Sequence, residues 1–247
     1  MGKNIRSCQP EWTLPNNRRL FIPINQEKIN DVARLIGFNV AKPHKERAKQ
    51  LVYSTSYSVI NTVTTGKSWK GYNTDGTGCI SSLSSEIDLS GKSIVLLGAG
   101  GASQTLPNLL EQEGVKQLFV YDSQSEKATR LAESQDIAVA VPTEDEILKL
   151  SHKIDVIIDA TPCGMNHEVN LPLKRKTLQK LRPIEAVQEF VYNPSTTPIM
   201  DFFDCKTLSG TNILVNQALH SLKHATGITL NDTEKQRLIR ELKKQHE

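Results

Sequence analysis

The sequence predicts an α/β protein: a small α/β unit joined to a doubly wound parallel sheet, an expectation that rests on three observations. Short apolar or β-branched runs at 93–97, 117–121, 137–141, 154–158 and 187–192 alternate with helical or loop segments, which is the rhythm of βαβ units with helices on both faces. A glycine-rich turn follows the first of those runs. Before residue 91 the pattern is shorter and different, and helical periodicity returns after Gly210.

Taken in order, residues 20–24 read as a strand, and Ile29, Val32, Ala33 and Ile36 recur at helical spacing. Gly37 stops that helix before an extended stretch at 38–40, and Pro43 suits the first turn of a further helix. Gly66, Gly71, Gly76 and Gly78 punctuate what reads as a turn-rich stretch. Beyond the five runs, Ile213, Leu214, Ala218 and Leu222 share one side of a helix, and 233–247 forms a charged helix whose apolar stripe is Leu238, Ile239 and Leu242. The expected division places 1–78 with 211–247 in one unit and 79–210 in another.

Gly98, Ala99, Gly100, Gly101, Ala102 and Ser103 directly follow the strand at 93–97. A Rossmann-type dinucleotide site needs small residues there: one for a tight turn, one for close approach of the pyrophosphate, one for packing of the next helix. Ser103 takes the third position, and Pro107 sets a possible kink if the helix opens at the turn. Asp122 ends the second strand about 20 residues past the glycines, where a carboxylate accepts from the adenosine ribose hydroxyls and repels a 2′-phosphate. NAD is therefore expected, with NADP possible because Lys127 and Arg130 follow within a turn; the plainer role for Asp122 is to cap the next helix.

The charge is close to balanced, with 30 basic and 27 acidic residues, which points to a small anionic ligand rather than nucleic acid. Cys8, Cys79, Cys163 and Cys205 are widely separated and make no metal-ligand spacing, so neither a metal nor a disulfide framework is expected. No run reaches membrane-spanning length and the first residues carry no apolar signal core, so the expectation is a cytoplasmic protein without membrane contact, monomer or homodimer.

Three segments at 39–45, 61–63 and 71–78, reading NVAKPHK, NTV and GYNTDGTG, come in an order that resembles shikimate dehydrogenases. The turn at 98–102, the segment ATPCGM at 160–165, VYNP at 191–194, Thr197-Pro198, and Gln217-Ala218 through Thr226-Gly227 extend the resemblance over residues 38–228. The resemblance implies reversible hydride transfer between a nicotinamide cofactor and 3-dehydroshikimate, shikimate or a related cyclic hydroxy acid. It implies Lys45 and Asp75 as the catalytic pair, leaving open which one carries the proton, and Asn61, Tyr192 and Gln217 as substrate-binding residues. Thr161 and Met165 fall beside the cofactor, with Gly98, Ala99, Gly100, Gly101, Ala102 and Asp122.

The sequence departs from the family pattern in several places. The Ser-x-Ser segment that holds the substrate carboxylate has no counterpart in residues 1–20, and Ala41 stands where a threonine is usual. Asp159 replaces an asparagine, Glu189 an aspartate, and Ile213 a methionine. These departures keep a rival reading in view, a non-catalytic dinucleotide-binding regulatory or vestigial homologue. Methylene-tetrahydrofolate dehydrogenase and glutamyl-tRNA reductase share a related cofactor domain, but the NTDG segment and Gln217 favour the shikimate type.

Overall fold

The computed structural model describes residues 13–14, 18–19, 36–41, 44–65, 67–181 and 184–244. The expected strand at 20–24, the helix of Ile29, Val32 and Ala33, and Pro43 lie outside the described residues.

β1 (Thr13–Leu14) and β2 (Arg18–Arg19) form a short antiparallel ladder. β3 (Gly37–Asn39), β4 (Thr62–Thr64) and β5 (Lys70–Tyr72) form an antiparallel sheet in that order. Between β3 and β4 a 3-10 segment, Arg47–Leu51, carries Ala48 inward. Among the described residues the core of this sheet is Ala48, Ile60 and Val63, flanked by partly buried Phe38, Val40, Val52, Tyr57 and Trp69.

α1 (Asp75–Leu83) then leads into β6 (Ser93–Leu97). The chain continues through α2 (Leu106–Gln112), β7 (Gln117–Tyr121), α3 (Ser125–Ala132), β8 (Ala138–Ala140), α4 (Glu144–Leu150) and β9 (Val156–Asp159). It closes with α5 (Arg175–Lys180), β10 (Ala186–Glu189), α6 (Pro198–Phe202), β11 (Lys206–Leu208), α7 (Gly210–Thr226) and α8 (Asp232–Lys243). The six later strands make one sheet, β11-β10-β9-β6-β7-β8, with every neighbouring pair parallel. Crossovers therefore run outward in both directions from β6, and the gap between the ends of β6 and β9 is a topological switch point, where such sheets bind ligands.

All five residues of β6 are buried, which explains its uninterrupted apolar run. Ile94 and Leu96 join one core with α1, α2 and Ile213 of α7; Val95 and Leu97 join the other with Ile147, Leu178 and Ile199 of α4, α5 and α6. Strand periodicity thus feeds two separate layers.

Three sequence expectations change. The glycine-punctuated stretch contains β5 and the start of α1 rather than turns alone. Gly76 and Gly78 are close-approach glycines: a Cβ at Gly76 would fall 2.0 Å from Thr105 Oγ1, and one at Gly78 would lie 2.8 Å from the Gln217 backbone nitrogen. β10 stops at Glu189 instead of reaching 192, because Glu189 itself bonds the Val191 backbone N–H at 2.8 Å and takes the chain out of the ladder. Finally, residues 101–105 are turns, so α2 begins at Leu106 and Pro107 falls in its first turn, where no helical hydrogen bond is lost and no kink follows.

Candidate active site

Lys45 sits on the turn before the 3-10 segment, its carbonyl accepting from Ile60 N at 3.2 Å. Asp75 is the first residue of α1, with its N–H bonded to Asn73 Oδ1 at 3.1 Å. Their side chains meet: Lys45 Nζ donates to Asp75 Oδ2 at 2.5 Å, with only 17% and 12% of the two side chains exposed. Asp75 Oδ1 accepts from Asn61 Nδ2 at 2.8 Å. The same amide nitrogen lies 3.0 Å from Thr74 Oγ1 and 3.3 Å from Gln217 Oε1.

Gln217 comes from α7, 142 positions after Asp75 in the numbering, and the reason it arrives is Gly78. Without a side chain there, the backbones of α1 and α7 pack in direct contact. Sequence reading missed the residues that hold this cluster from behind. Thr62 Oγ1 and Ser221 Oγ lie 2.6 Å apart, and Thr74 Oγ1 is within 3.2 Å of both Gln217 Oε1 and Ser221 Oγ. One signal was available: Ser221 falls one helical turn after Gln217 and bonds its carbonyl at 2.9 Å. Just outside the cluster, Tyr72 stacks on His224 with ring centres 3.9 Å apart, and Ser81 bonds His220 Nε2 at 2.9 Å. Burial lowers the pKa of both histidines, with Lys223 adding to the effect.

The glycine-rich turn stands at the switch point. Gly98 adopts φ +93, and a Cβ there would press on the Ala160 backbone at 3.0 Å; Gly100 has open space around its Cβ position. That combination leaves room for a dinucleotide to approach the main chain, so the residues fit the cofactor they suggest. Ser103 is buried and bonds the Gly100 carbonyl at 2.9 Å, bracing the turn from within. Asp122 accepts from Ala99 N and from Gln124 N, each at 2.8 Å, which orients its carboxylate toward the turn. It bonds the residue just before α3 rather than an N–H inside that helix.

On the other side of the switch point, Thr161 N bonds Asp159 Oδ1 at 2.9 Å, and Thr161 Oγ1 accepts from Cys163 N at 3.3 Å. Gly164, at φ +80, lets this loop close against Thr197. Met165 and Tyr192 are 41% and 38% exposed on the facing loops 160–167 and 190–197, which are joined by Asn166 N bonding Asn193 O at 3.1 Å. Ile213 is buried in α7, and its carbonyl lies against Gly78. Among the described residues no group of acidic, histidine and cysteine side chains has the makings of a metal site, and no described helix is long and apolar enough to cross a membrane.

A parallel sheet in this order, with a glycine turn and a carboxylate at the switch point and a lysine–aspartate pair nearby, defines a nicotinamide-dependent oxidoreductase. The family profile Shikimate / quinate 5-dehydrogenase matches residues 81–170. The shikimate dehydrogenase (NADP(+)) of Desulforamulus reducens is 30% identical over 212 residues, covering 79% of this chain and 72% of that protein. That of Prochlorococcus marinus is 30% identical over 83% of this chain and 80% of the relative. The chain belongs to the shikimate dehydrogenase family. Among solved structures, shikimate 5-dehydrogenase from Thermus thermophilus in complex with NADP(H) and shikimate superposes with a TM-score of 0.74 at 25% identity, covering 87% of this chain and 83% of that one. Quinate dehydrogenase from Corynebacterium glutamicum in complex with NAD shares the fold, with a TM-score of 0.75 at 23% identity over 88% and 83% of the two chains.

Proposed function

We propose that this oxidoreductase interconverts 3-dehydroshikimate and shikimate, or a closely related cyclic hydroxy acid, in a cytoplasmic setting. The observation that carries the reading is the 2.5 Å contact between Lys45 and Asp75, tied through Asn61 to Gln217. Oxidising the alcohol requires a base for the hydroxyl proton, and reducing the ketone requires the matching acid. The nicotinamide, when bound, takes or gives the hydride. Lys45 and Asp75 move the proton as a pair, the ammonium positioned by the carboxylate and the carboxylate held by Asn61. Asn61 and Gln217 bind substrate polar groups beside them, and Tyr192 closes on the substrate from the loop after β10.

Residues 1–78 with 211–247 form the substrate-binding unit in this proposal, and 79–210 the dinucleotide unit. Support comes from α1 and α7, which pack together although β6 to β11 separate them in sequence; α1 runs across residue 78 and is the physical connector. The rival reading, a homologue without catalysis, finds nothing in the site that favours it.

For the cofactor, the names of the bacterial relatives specify NADP for those proteins. In this chain the Asp122 carboxylate at the end of β7 is turned toward Ala99, where it would accept from ribose hydroxyls and repel a 2′-phosphate, so NAD is the preferred partner. Gly98, Ala99, Gly100, Gly101 and Ala102 cradle the pyrophosphate, with Thr161 and Met165 toward the nicotinamide.

Incubation of the pure protein with NAD or NADP and a panel of cyclic hydroxy acids, followed by reduced-nicotinamide absorbance, tests the reading. Turnover of shikimate or quinate supports it. Cofactor binding with no turnover at saturating substrate overturns it in favour of the non-catalytic homologue. Tighter binding of NADP than NAD, unchanged by Asp122→Ser, would remove Asp122 as the reader of the ribose.

A further inference from the structure

Two carboxyl groups lie side by side where β9 and β10 end. Asp159 and Glu189 are partners in the parallel ladder, and both residues are fully buried. Neither makes an ion pair with a described lysine, arginine or histidine. Each ties down one of the loops that form the far wall of the switch point. Asp159 Oδ1 holds Thr161 N at 2.9 Å; Glu189 holds Val191 N through Oε1 and the Thr197 hydroxyl through Oε2, each at 2.8 Å. Asp159 Oδ2, buried beside them, has no hydrogen-bond partner.

Two bare carboxylates at neighbouring ladder positions inside an apolar sheet would carry an uncompensated double charge, which folded proteins avoid. A proton resolves both problems at once, because it removes one charge and gives Asp159 Oδ2 a hydrogen bond. We propose that Asp159 and Glu189 hold one proton between them through Asp159 Oδ2, and that this neutralised pair positions the 160–164 and 190–197 loops against which cofactor and substrate bind.

The pair acts through Thr161, Val191 and Thr197 and touches neither ligand itself. Its reach into the substrate side is short. Gly210, the first residue of α7, packs so closely on the Phe190 and Val191 carbonyls that a Cβ there would fall 2.4 Å from each oxygen, and Gly210 N bonds Val191 O at 3.1 Å. The loop anchored by Glu189 thereby sets the start of the helix that carries Gln217.

The surroundings favour keeping the proton. Burial pushes both carboxyls above the usual carboxylate range, and the Asp159 charge pushes Glu189 further. The hydrogen bonds from Thr161, Val191, Thr197 and Phe190 oppose the rise without cancelling it. In the same corner Cys163 is raised by burial and by the charges of Asp159, Glu189 and Glu168. On the β6 side the ladder neighbour of Asp159 is apolar Leu97, and from α6 the contact is the Thr197 hydroxyl. None of these supplies positive charge. For groups whose pKa is raised on folding, stability is present at low pH and lost as pH rises through the folded value.

The test follows two quantities from about pH 6 to about pH 9: the unfolding midpoint of the ligand-free protein, and the dissociation constant for reduced nicotinamide cofactor by fluorescence. Wild type is expected to lose stability toward the alkaline end, with cofactor binding weakened about tenfold as the pair ionises. Asp159→Asn offers an amide donor that cannot ionise, so both pH dependences should flatten. Asp159→Ala removes the acceptor for Thr161 N as well, and should weaken cofactor binding about threefold to tenfold across the whole range. The same alkaline limb in Asp159→Asn as in wild type overturns the proposal. A wild-type protein with no infrared band of a protonated buried carboxyl at about pH 7 overturns it without any variant. The affinity arm rests on the oxidoreductase reading; the infrared and unfolding arms do not, so a failure of one is not mistaken for a failure of the other.

Discussion

The two larger sheets of the molecule are built by different physics. The parallel sheet is an apolar object: β6 is buried along its whole length and feeds a separate core on each face. Among the described residues the small antiparallel sheet has three buried apolar residues to itself, Ala48, Ile60 and Val63. What organises its inner end is polar, with Asn61, Thr62 and Thr74 bonded to Gln217 and Ser221 of α7. The cofactor side is therefore positioned by volume and backbone geometry, and the proposed substrate side by directional hydrogen bonds.

The largest expected effect tests the apolar half of that contrast. Leu96→Ala, with a fully buried side chain between β7 and β9, should destabilise the protein by about 3 to 5 kcal/mol through lost transfer energy and a cavity. Val63→Ala in the small sheet should cost about 1 to 2 kcal/mol, since it removes less side chain than Leu→Ala and the described core around it is small. Equal costs in denaturant unfolding would break the comparison.

Lys45→Ala comes next. Turnover should fall about 100-fold or more, the scale of lost acid–base assistance, or about 2.7 kcal/mol. Cofactor affinity should change less than about twofold because the turn at 98–103 belongs to the parallel sheet, whereas Lys45 lies beside the antiparallel one. Saturation kinetics beside a cofactor titration separate the two, and a parallel loss of cofactor binding would show that the sides are not independent.

Asn61→Ala removes the amide that bridges Asp75 and Gln217 and leaves the Thr74 N–H without its 2.9 Å acceptor. A loss of about 1 to 3 kcal/mol in stability is expected, with a higher KM for substrate. Stability equal to wild type would mean that the polar cluster does not hold this side together.

The smallest effect is one of sign. His220 and His224 have lowered values in the folded protein, so the stability they confer is present above their ordinary titration range, near pH 6.5, and is lost as pH falls below it. The His220→Gln/His224→Gln double variant should flatten the acid side of the unfolding-midpoint curve while leaving the alkaline side, assigned to Asp159 and Glu189, as it was. A double variant that flattened both sides would tie the two pH responses to one cause.

Much of this was legible in the residues themselves. Alternation of apolar runs with helical segments was enough for the parallel sheet, because both faces of a doubly wound strand are covered and its residues must be apolar throughout. Spacing along the chain also sufficed for the Gly98 turn and Asp122, since strand, turn and helix are local. The stretch around Gly71, Gly76 and Gly78 was not legible in the same way. A glycine needed for close packing looks in one dimension like a glycine needed for a turn, and only the partner brought against it tells them apart.

What the sequence by itself determined is the set of local features: strand runs, the glycine turn, the carboxylate after β7, and the residue types of the polar cluster. What only the tertiary structure decided is which of these meet. Asn61, Asp75 and Gln217 are brought together by the crossing of α1 and α7 over Gly78, and Asp159 is set beside Glu189 by the register of β9 against β10. The physical reason is that local preference depends on neighbours a few residues away, while a polar cluster or a shared proton depends on distances set by packing between elements far apart in the chain.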